Sequence, residues 1–255
     1  MDWLKALRPN WLWVREFVLI CAVLSVYSAV NLASGDRRDL ALANCERVID
    51  LERDLGIFVE VDVQRMVLGT AAVPLLSYLY AFVHPFLTVG FIAILFLSRS
   101  TYYSQVRNTF AVFSMISFAV FFVFPSAPPR MMTEHGFIDL LHEGAPVNYE
   151  MDLARKIFNP YASMPSVHFG YSLIVGVTLF TKSDRRLLRL VGIAYPSLML
   201  VSVTASANHL LLDCLASVGF LVATYLLVFR LCFVDRLTRF FKAKSRGQVR
   251  ERDFQ

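Results

Sequence analysis

Charge is scarce in this 255-residue chain: Asp, Glu, Lys and Arg together make up 18% of it. No glycine-rich nucleotide loop and no kinase-like signature occurs, so a nucleotide phosphate donor is not expected. The four cysteines, Cys21, Cys45, Cys214 and Cys232, show neither a disulfide framework nor zinc spacing. Three of them fall in apolar runs and read as small packing residues. No cluster of carboxylates suggests magnesium or calcium, and neither a metal nor another cofactor is expected. Nothing resembles a channel filter or a ring of repeated charges, and there is no internal repeat or low-complexity tract. A cleavable signal is not convincing either. The first apolar run carries Arg15 and Glu16 near its start and lacks an obvious small-residue cleavage site, so it is expected to be retained as the first span.

What the chain does have is long apolar blocks. Hydrophobic residues make up 56%, phenylalanine alone accounts for 22 positions, and the mean hydropathy is +0.54. Soluble domains hold about 45–50% apolar residues even with glycine counted. Several blocks approach the ~20 residues needed to cross a hydrocarbon core. A large soluble helical core is the alternative, but it does not call for such runs. The expected fold is therefore all-α: a polytopic membrane helical bundle with about six transmembrane helices plus interfacial helices. Spans are expected near 14–33, 71–97, 108–124, 166–181, 188–206 and 210–233. Residues 1–255 are read as a single membrane domain.

Two polar connections are long. Segment 34–66 carries Leu40, Val48, Leu51, Leu55, Ile57 and Phe58 among many charges. It reads as one or two amphipathic helices at the interface, or as a small extramembrane helical hairpin. Segment 125–165 holds six of the prolines and is expected to be an irregular extracytoplasmic loop. The net charge of +5 and pI near 9.1 do not imply nucleic acid here, because the basic residues lie in short connections and in the 234–255 tail. Lys5 and Arg8, Arg99 and Arg107, Lys182 to Arg189, and the tail share one side in a six-span chain. The basic bias assigns that side, with both termini, to the cytoplasm. Segments 34–66, 125–165 and the tight turn 206–209 then face outward.

Ionisable groups in or beside spans are expensive and so are functional candidates. His209 and Asp213 stand at i, i+4, a spacing that shares one helical face. A carboxylate there can fix the imidazole tautomer and leave the other nitrogen as base or nucleophile. A plain structural hydrogen bond is the alternative. The run Asn159-Pro160-Tyr161-Ala162-Ser163-Met164-Pro165-Ser166-Val167-His168 opens the fourth span. Proline followed by serine suits a helix start, and free amides at such a start can hold an anion. His168 is then near that anion, or is a bystander beside a plain cap. Arg130 follows Pro128 and Pro129 at the mouth of the third span. Its guanidinium suits bidentate phosphate binding, or it snorkels to head groups. His84 lies mid-span as a satisfied core histidine or a cleft residue. His135 and His142 read as solvated loop histidines.

In the six-span topology these groups meet at one outward face. An arginine, a serine at a helix start, two histidines and an aspartate suit phosphoryl transfer, with one imidazole attacking and the other protonating the leaving oxygen.

At these residues the sequence resembles the phosphatidic acid phosphatase type 2 superfamily, and within it the inositolphosphotransferase branch that includes inositol-phosphorylceramide synthase. The resemblance rests on Ala127-Pro128-Pro129-Arg130, Met164-Pro165-Ser166-Val167-His168, and Asn208-His209 with Asp213. It extends to Glu52-Arg53-Asp54-Leu55-Gly56-Ile57-Phe58, Tyr80 with His84, and Tyr103 with Arg107, over roughly residues 40–225. It implies that His209 forms a phosphohistidine, Asp213 orients it and His168 protonates the leaving group. Arg130, Ser166, Asn208 and Arg107 are the implied phosphate-binding set, although the basic-loop topology puts Arg107 at the opposite face. Two departures stand out. Many members carry arginine six residues before the nucleophile, where Val203 stands here, and glycine where Val167 stands. Arg130 is therefore expected to carry more of the phosphate binding.

The expected activity is transfer from a membrane lipid phosphate through a phosphohistidine. It leans to a polyol, sugar or lipid alcohol acceptor, with water as the alternative acceptor of a simple phosphatase. A non-enzymatic lipid transporter of the same fold is the reading of a different class. Against it stands the intact set of Arg130, His168, His209 and Asp213.

Overall fold

A computed structural model of the protein describes residues 10–34, 37–139 and 159–230. Among these, eight helices form and no strand does; Ser126 and Ala162 make an isolated bridge. Five helices are long and apolar enough to cross a membrane: α1 (Asn10–Ser34), α4 (Ala72–Leu97), α5 (Tyr103–Val123), α7 (Arg186–Ala205) and α8 (Leu211–Arg230). The chain is thus an integral membrane protein built as a helical bundle. The remaining helices are α2 (Arg38–Asp54), α3 (Glu60–Val67) and α6 (Val167–Lys182).

The expected span count needs qualifying at α6. It is a helix where expected, but its 16 residues rise only about 24 Å, short of a 30 Å hydrocarbon core. Lys182 in its last turn and the Ser166 cap bound the apolar stretch at both ends. The other helices match the expected spans to within a few residues. The tail 234–255, loop residues 140–158 with His142, Lys5, Arg8 and Cys232 lie outside the described residues.

One core lies inside the bundle, with Phe113, Ile174, Met199 and Val203 fully enclosed. Small residues set the α6–α7 crossing. A Cβ on Gly176 would come 2.4 Å from the Gly192 carbonyl oxygen, and one on Gly192 would come 2.7 Å from the Gly176 oxygen. Backbones that close exclude any side chain at the crossing. Gly170, two residues after His168, is also closely packed: a Cβ there would meet the Phe113 ring at 2.2 Å.

A second core covers one end of the bundle. In α2, Ala41, Asn44, Cys45, Val48, Ile49 and Glu52 are buried at helical spacing. This stripe packs on Ala127, Met132, Phe137, Ala207 and Leu210. The amphipathic reading of 34–66 therefore holds as two helices, but the buried face is not the one the large apolar residues suggested. Leu40, Leu51 and Leu55 are exposed. The smaller residues of α2 pack inward because the protein's own loops supply the partner surface.

The described parts of the proline-rich segment, 125–139 and 159–165, hold only two short 3-10 turns. The two parts pair with each other: Ser126 N donates to Tyr161 O (3.0 Å) and Ser163 N to Ser126 O (3.2 Å). Asn44 Nδ2 donates to the Pro125 carbonyl (2.8 Å), tying α2 to the same strip. This roof holds both loops over the turn between α7 and α8.

Candidate active site

The turn is built by the end of α7. Asn208 N donates to Val203 O (3.0 Å) and Ala207 N to Thr204 O (3.0 Å). This double bond pattern closes a helix C-terminus, with the turning residue in the left-handed region. That residue is Ala207, at φ 50° and fully buried, a conformation that costs about 1–2 kcal/mol for a residue with a Cβ. Arg130 N donates to its carbonyl (2.8 Å), which brings the arginine loop onto the turn.

His209 follows in the turn, before α8 begins. The sequence placed it and Asp213 on one helical face; the structure starts the helix later. The reason is a cap. Asp213 Oδ2 accepts from Leu210 N (3.0 Å), the reciprocal half of a capping box. The next two amides are taken by acids from the roof: Leu211 N donates to Glu60 Oε1 (2.7 Å) and Leu212 N to Glu52 Oε1 (2.6 Å). Glu52, Glu60 and Asp213 are each 0% exposed. Burial pushes the Glu52 carboxyl up to about 8; the Glu60 charge beside it adds to this and the Leu212 amide opposes it.

His209 is 4% exposed and its Nδ1 faces the Ser163 carbonyl oxygen at 2.8 Å. A carbonyl only accepts, so Nδ1 carries a hydrogen, and in the neutral ring that leaves the lone pair on Nε2. Asp213 Oδ2 is 3.6 Å from Nδ1, beyond a direct hydrogen bond. It acts through Ser163, whose Oγ donates to it at 2.7 Å. Ser163 is thus the immediate orienter. No spacing in the chain points to it, because its partners lie 46 and 50 residues away.

His168, in the first turn of α6, has its ring centroid 6.1 Å from that of His209. Tyr80 stacks on it at 4.2 Å, and His84 lies 5.2 Å away. Both come from α4, Tyr80 within a π-helical turn at Leu79–Val83 and His84 directly after it, a distortion frequent at functional sites. His84 is buried, with Nδ1 2.6 Å from the Tyr195 hydroxyl. It is the satisfied core histidine that the sequence allowed, and it lies beside His168.

Arg130 closes the group. Its Nη1 donates to Asn208 Oδ1, and its Nε lies 3.5 Å from Asp139 Oδ2. Asn208 Nδ2 donates to Ser206 Oγ (2.6 Å), so this amide aims the guanidinium. Ser166 caps α6 as expected, with Oγ accepting from Phe169 N (3.3 Å), and is itself fully buried. Its amide donates to the Asp213 carbonyl (3.1 Å), joining α6 to α8.

Arg107 does not join them. It lies near the start of α5 and Arg130 just past its end, about 24 Å of helix between them. Arg107 Nη1 is 2.6 Å from Glu16 of α1, and its Nε and Nη2 donate to Asn108 Oδ1. An acid on the neighbouring helix claims the guanidinium. His135 also differs from expectation: it is held between Glu46 (2.7 Å) and Arg53 (2.7 Å), not solvated. Ligand atoms of Glu46, Glu134 and His135 lie within 4.8 Å of one another, but both ring nitrogens of His135 are already engaged.

Three buried elements thus converge on two imidazoles and a guanidinium. A family model described as the PAP2 superfamily matches residues 46–227. The chain belongs to the PAP2 superfamily. No curated protein and no solved structure matches it. As a PAP2 superfamily protein it is a phosphatase-like enzyme acting on phosphate esters. Within this PAP2 frame Val203, at the position where the resemblance leads one to expect arginine, is fully buried in the bundle core. Its carbonyl closes the α7 turn instead, and Arg130 reaches the same turn from the loop.

Proposed function

We propose that this PAP2 protein transfers the phosphate of a membrane lipid through a phosphohistidine on His209. The observation that carries the reading is the fixed tautomer of His209, with Nδ1 held by Ser163 and Nε2 left free, 6.1 Å between its ring and that of His168.

In the first half-reaction the Nε2 lone pair attacks phosphorus. The bond from phosphorus to the lipid oxygen breaks, its electron pair stays on that oxygen, and protonated His168 supplies the proton. Arg130, aimed by Asn208, balances the charge on the equatorial oxygens. Asp213, whose Oδ1 is buried with no hydrogen-bond partner among the described residues, offsets the positive charge that develops on the His209 ring. In the second half-reaction His168 takes a proton from the acceptor, whose oxygen attacks phosphorus and releases His209.

The acceptor we favour is an alcohol: a polyol, a sugar or a lipid hydroxyl. The roof of α2, α3 and the two loops leaves His209 little exposed, an arrangement that protects a reactive intermediate from water. The likeness to the inositolphosphotransferase branch points the same way. The site lies on the extracytoplasmic or lumenal face in this reading, with the basic connections in the cytoplasm.

Lipid phosphate labelled on phosphorus, incubated with the purified protein and candidate alcohols, tests this. Label appearing in an acceptor ester is the expected result. Label released only as inorganic phosphate at every alcohol tested makes the protein a phosphatase. Reporter fusions at both termini test the orientation, and a C-terminus outside overturns it.

A further inference from the structure

We propose that Glu52 and Glu60 act together as positioning residues for His209, holding one proton between them and clamping the start of α8. The role in turnover rests on the reading of His209 as nucleophile; the shared proton does not.

The first amides of a helix have no partner within it. At α8, three consecutive ones, on Leu210, Leu211 and Leu212, are each taken by a different carboxylate. Two of these come from 151 and 160 residues away, carried in by α3 and α2. The helix that bears Asp213, and that begins two residues after His209, is therefore held from outside the bundle by the roof.

Three carboxylates crowd a helix terminus worth about half a positive charge. Among the described residues neither Glu52 nor Glu60 forms an ion pair. Two carboxylates sharing a site do not both ionise cheaply. The oxygens show where a proton belongs. Glu52 Oε1 accepts from Leu212, Glu60 Oε1 from Leu211 and Glu60 Oε2 from Val59 N (3.0 Å). Glu52 Oε2 is buried with no donor facing it, yet Glu52 lies in hydrogen-bonding contact with Glu60. A proton on Oε2 donates to Glu60 and satisfies both groups. The other ionisable groups facing the pair are Asp213 and Cys214 of α8 and Cys45 of α2. Burial pushes the Cys45 thiol up, so it adds no charge.

One consequence concerns the substrate. With its first amides occupied, the start of α8 cannot act as the phosphate cradle that helix termini often provide. The phosphate is left to Arg130 and the start of α6.

The pH dependence has a definite sign. The Glu52 carboxyl sits at about 8 folded against 4.5 unperturbed. The folded state holds a proton in this window that the unfolded chain has lost. Its contribution is complete below about 4.5 and is lost as pH rises through about 8.

Glu52→Gln puts an N–H where the proton sits and keeps the acceptor; Glu52→Ala removes both. The full chain in detergent micelles is assayed for loss of phosphate from dioctanoyl phosphatidic acid, to added alcohols and to water, between pH 5 and 9.5, and for thermal melting over the same range. Glu52→Ala should lower kcat at least about tenfold with little change in KM. Glu52→Gln should restore most of that loss and remove the alkaline decline shown by the wild type, in both activity and melting temperature. A wild type and Glu52→Gln with identical pH dependence in both measurements would overturn the shared proton. Full kcat in Glu52→Ala would overturn the positioning role. If the wild type neither transfers the phosphate to an added alcohol nor releases it, the proposed function fails, while the melting curves still decide the proton.

Discussion

Nδ1 of His209 lies 2.8 Å from the carbonyl oxygen of Ser163 and 3.6 Å from the nearest oxygen of Asp213. The backbone, not the acid, sets the tautomer. The acid is reached through the hydroxyl of the same serine at 2.7 Å.

Ser163→Ala should therefore leave the tautomer intact and uncouple Asp213. Losing one such hydrogen bond is worth about 1 kcal/mol, so kcat should fall about five- to tenfold with KM unchanged. Steady-state kinetics on a short-chain lipid phosphate measure this. Asp213→Asn should be harsher, because it also removes the charge and weakens the α8 cap.

His209→Ala should abolish both turnover and the phosphoenzyme. His168→Ala should lower turnover by about 10²–10⁴-fold, the usual worth of a general acid, yet still form some phosphoenzyme from a substrate whose leaving group needs no proton. Labelling quenched in alkali separates the two, since phosphohistidine is stable in base and labile in acid. Normal activity in a folded His209→Ala protein rules out the mechanism.

Arg130→Lys keeps the charge but loses the planar fork that Asn208 aims. KM for lipid phosphate should rise and kcat should fall, with Asn208→Ala showing a milder form of the same pattern. Arg107→Ala should leave both constants near wild type and lower the melting temperature instead. Its partner is Glu16 at 2.6 Å, on α1. A large kinetic defect in Arg107→Ala with no change in melting would return it to the site.

Gly176→Ala should destabilise the bundle. The added methyl meets the Gly192 carbonyl oxygen at 2.4 Å, and backbone cannot swing aside. Overpacking of this kind costs about 1–3 kcal/mol, visible as a lower melting temperature in detergent. Gly90→Ala on α4, where nothing lies within 4 Å of an added Cβ, is the matched control and should melt as the wild type does.

Much of this protein was legible from local pattern. Apolar blocks of span length are a property of contiguous residues, so the long helices lie where hydropathy placed them. Serine after proline predicted the start of α6, and Ser166 caps it. The four residues that matter most in the proposed chemistry, Arg130, His168, His209 and Asp213, were also visible, because polar groups are rare in such a chain and each stands at the end of a span.

The tertiary structure decided which of those groups have which partners. Hydrogen bonds between residues 46, 78, 151 and 160 positions apart build the site. No periodicity encodes pairs that distant. Glu52 and Glu60 looked like ordinary acids of a polar connection until α2 and α3 folded them onto α8. Arg107, which the resemblance implied as a phosphate ligand although the basic loops put it at the opposite face, is paired with Glu16. Sequence by itself determined a helical membrane protein with its few polar groups, two histidines among them, at the ends of its helices. Folding decided the hydrogen bonds, since burial leaves each polar group dependent on whatever partner packing brings within about 3 Å.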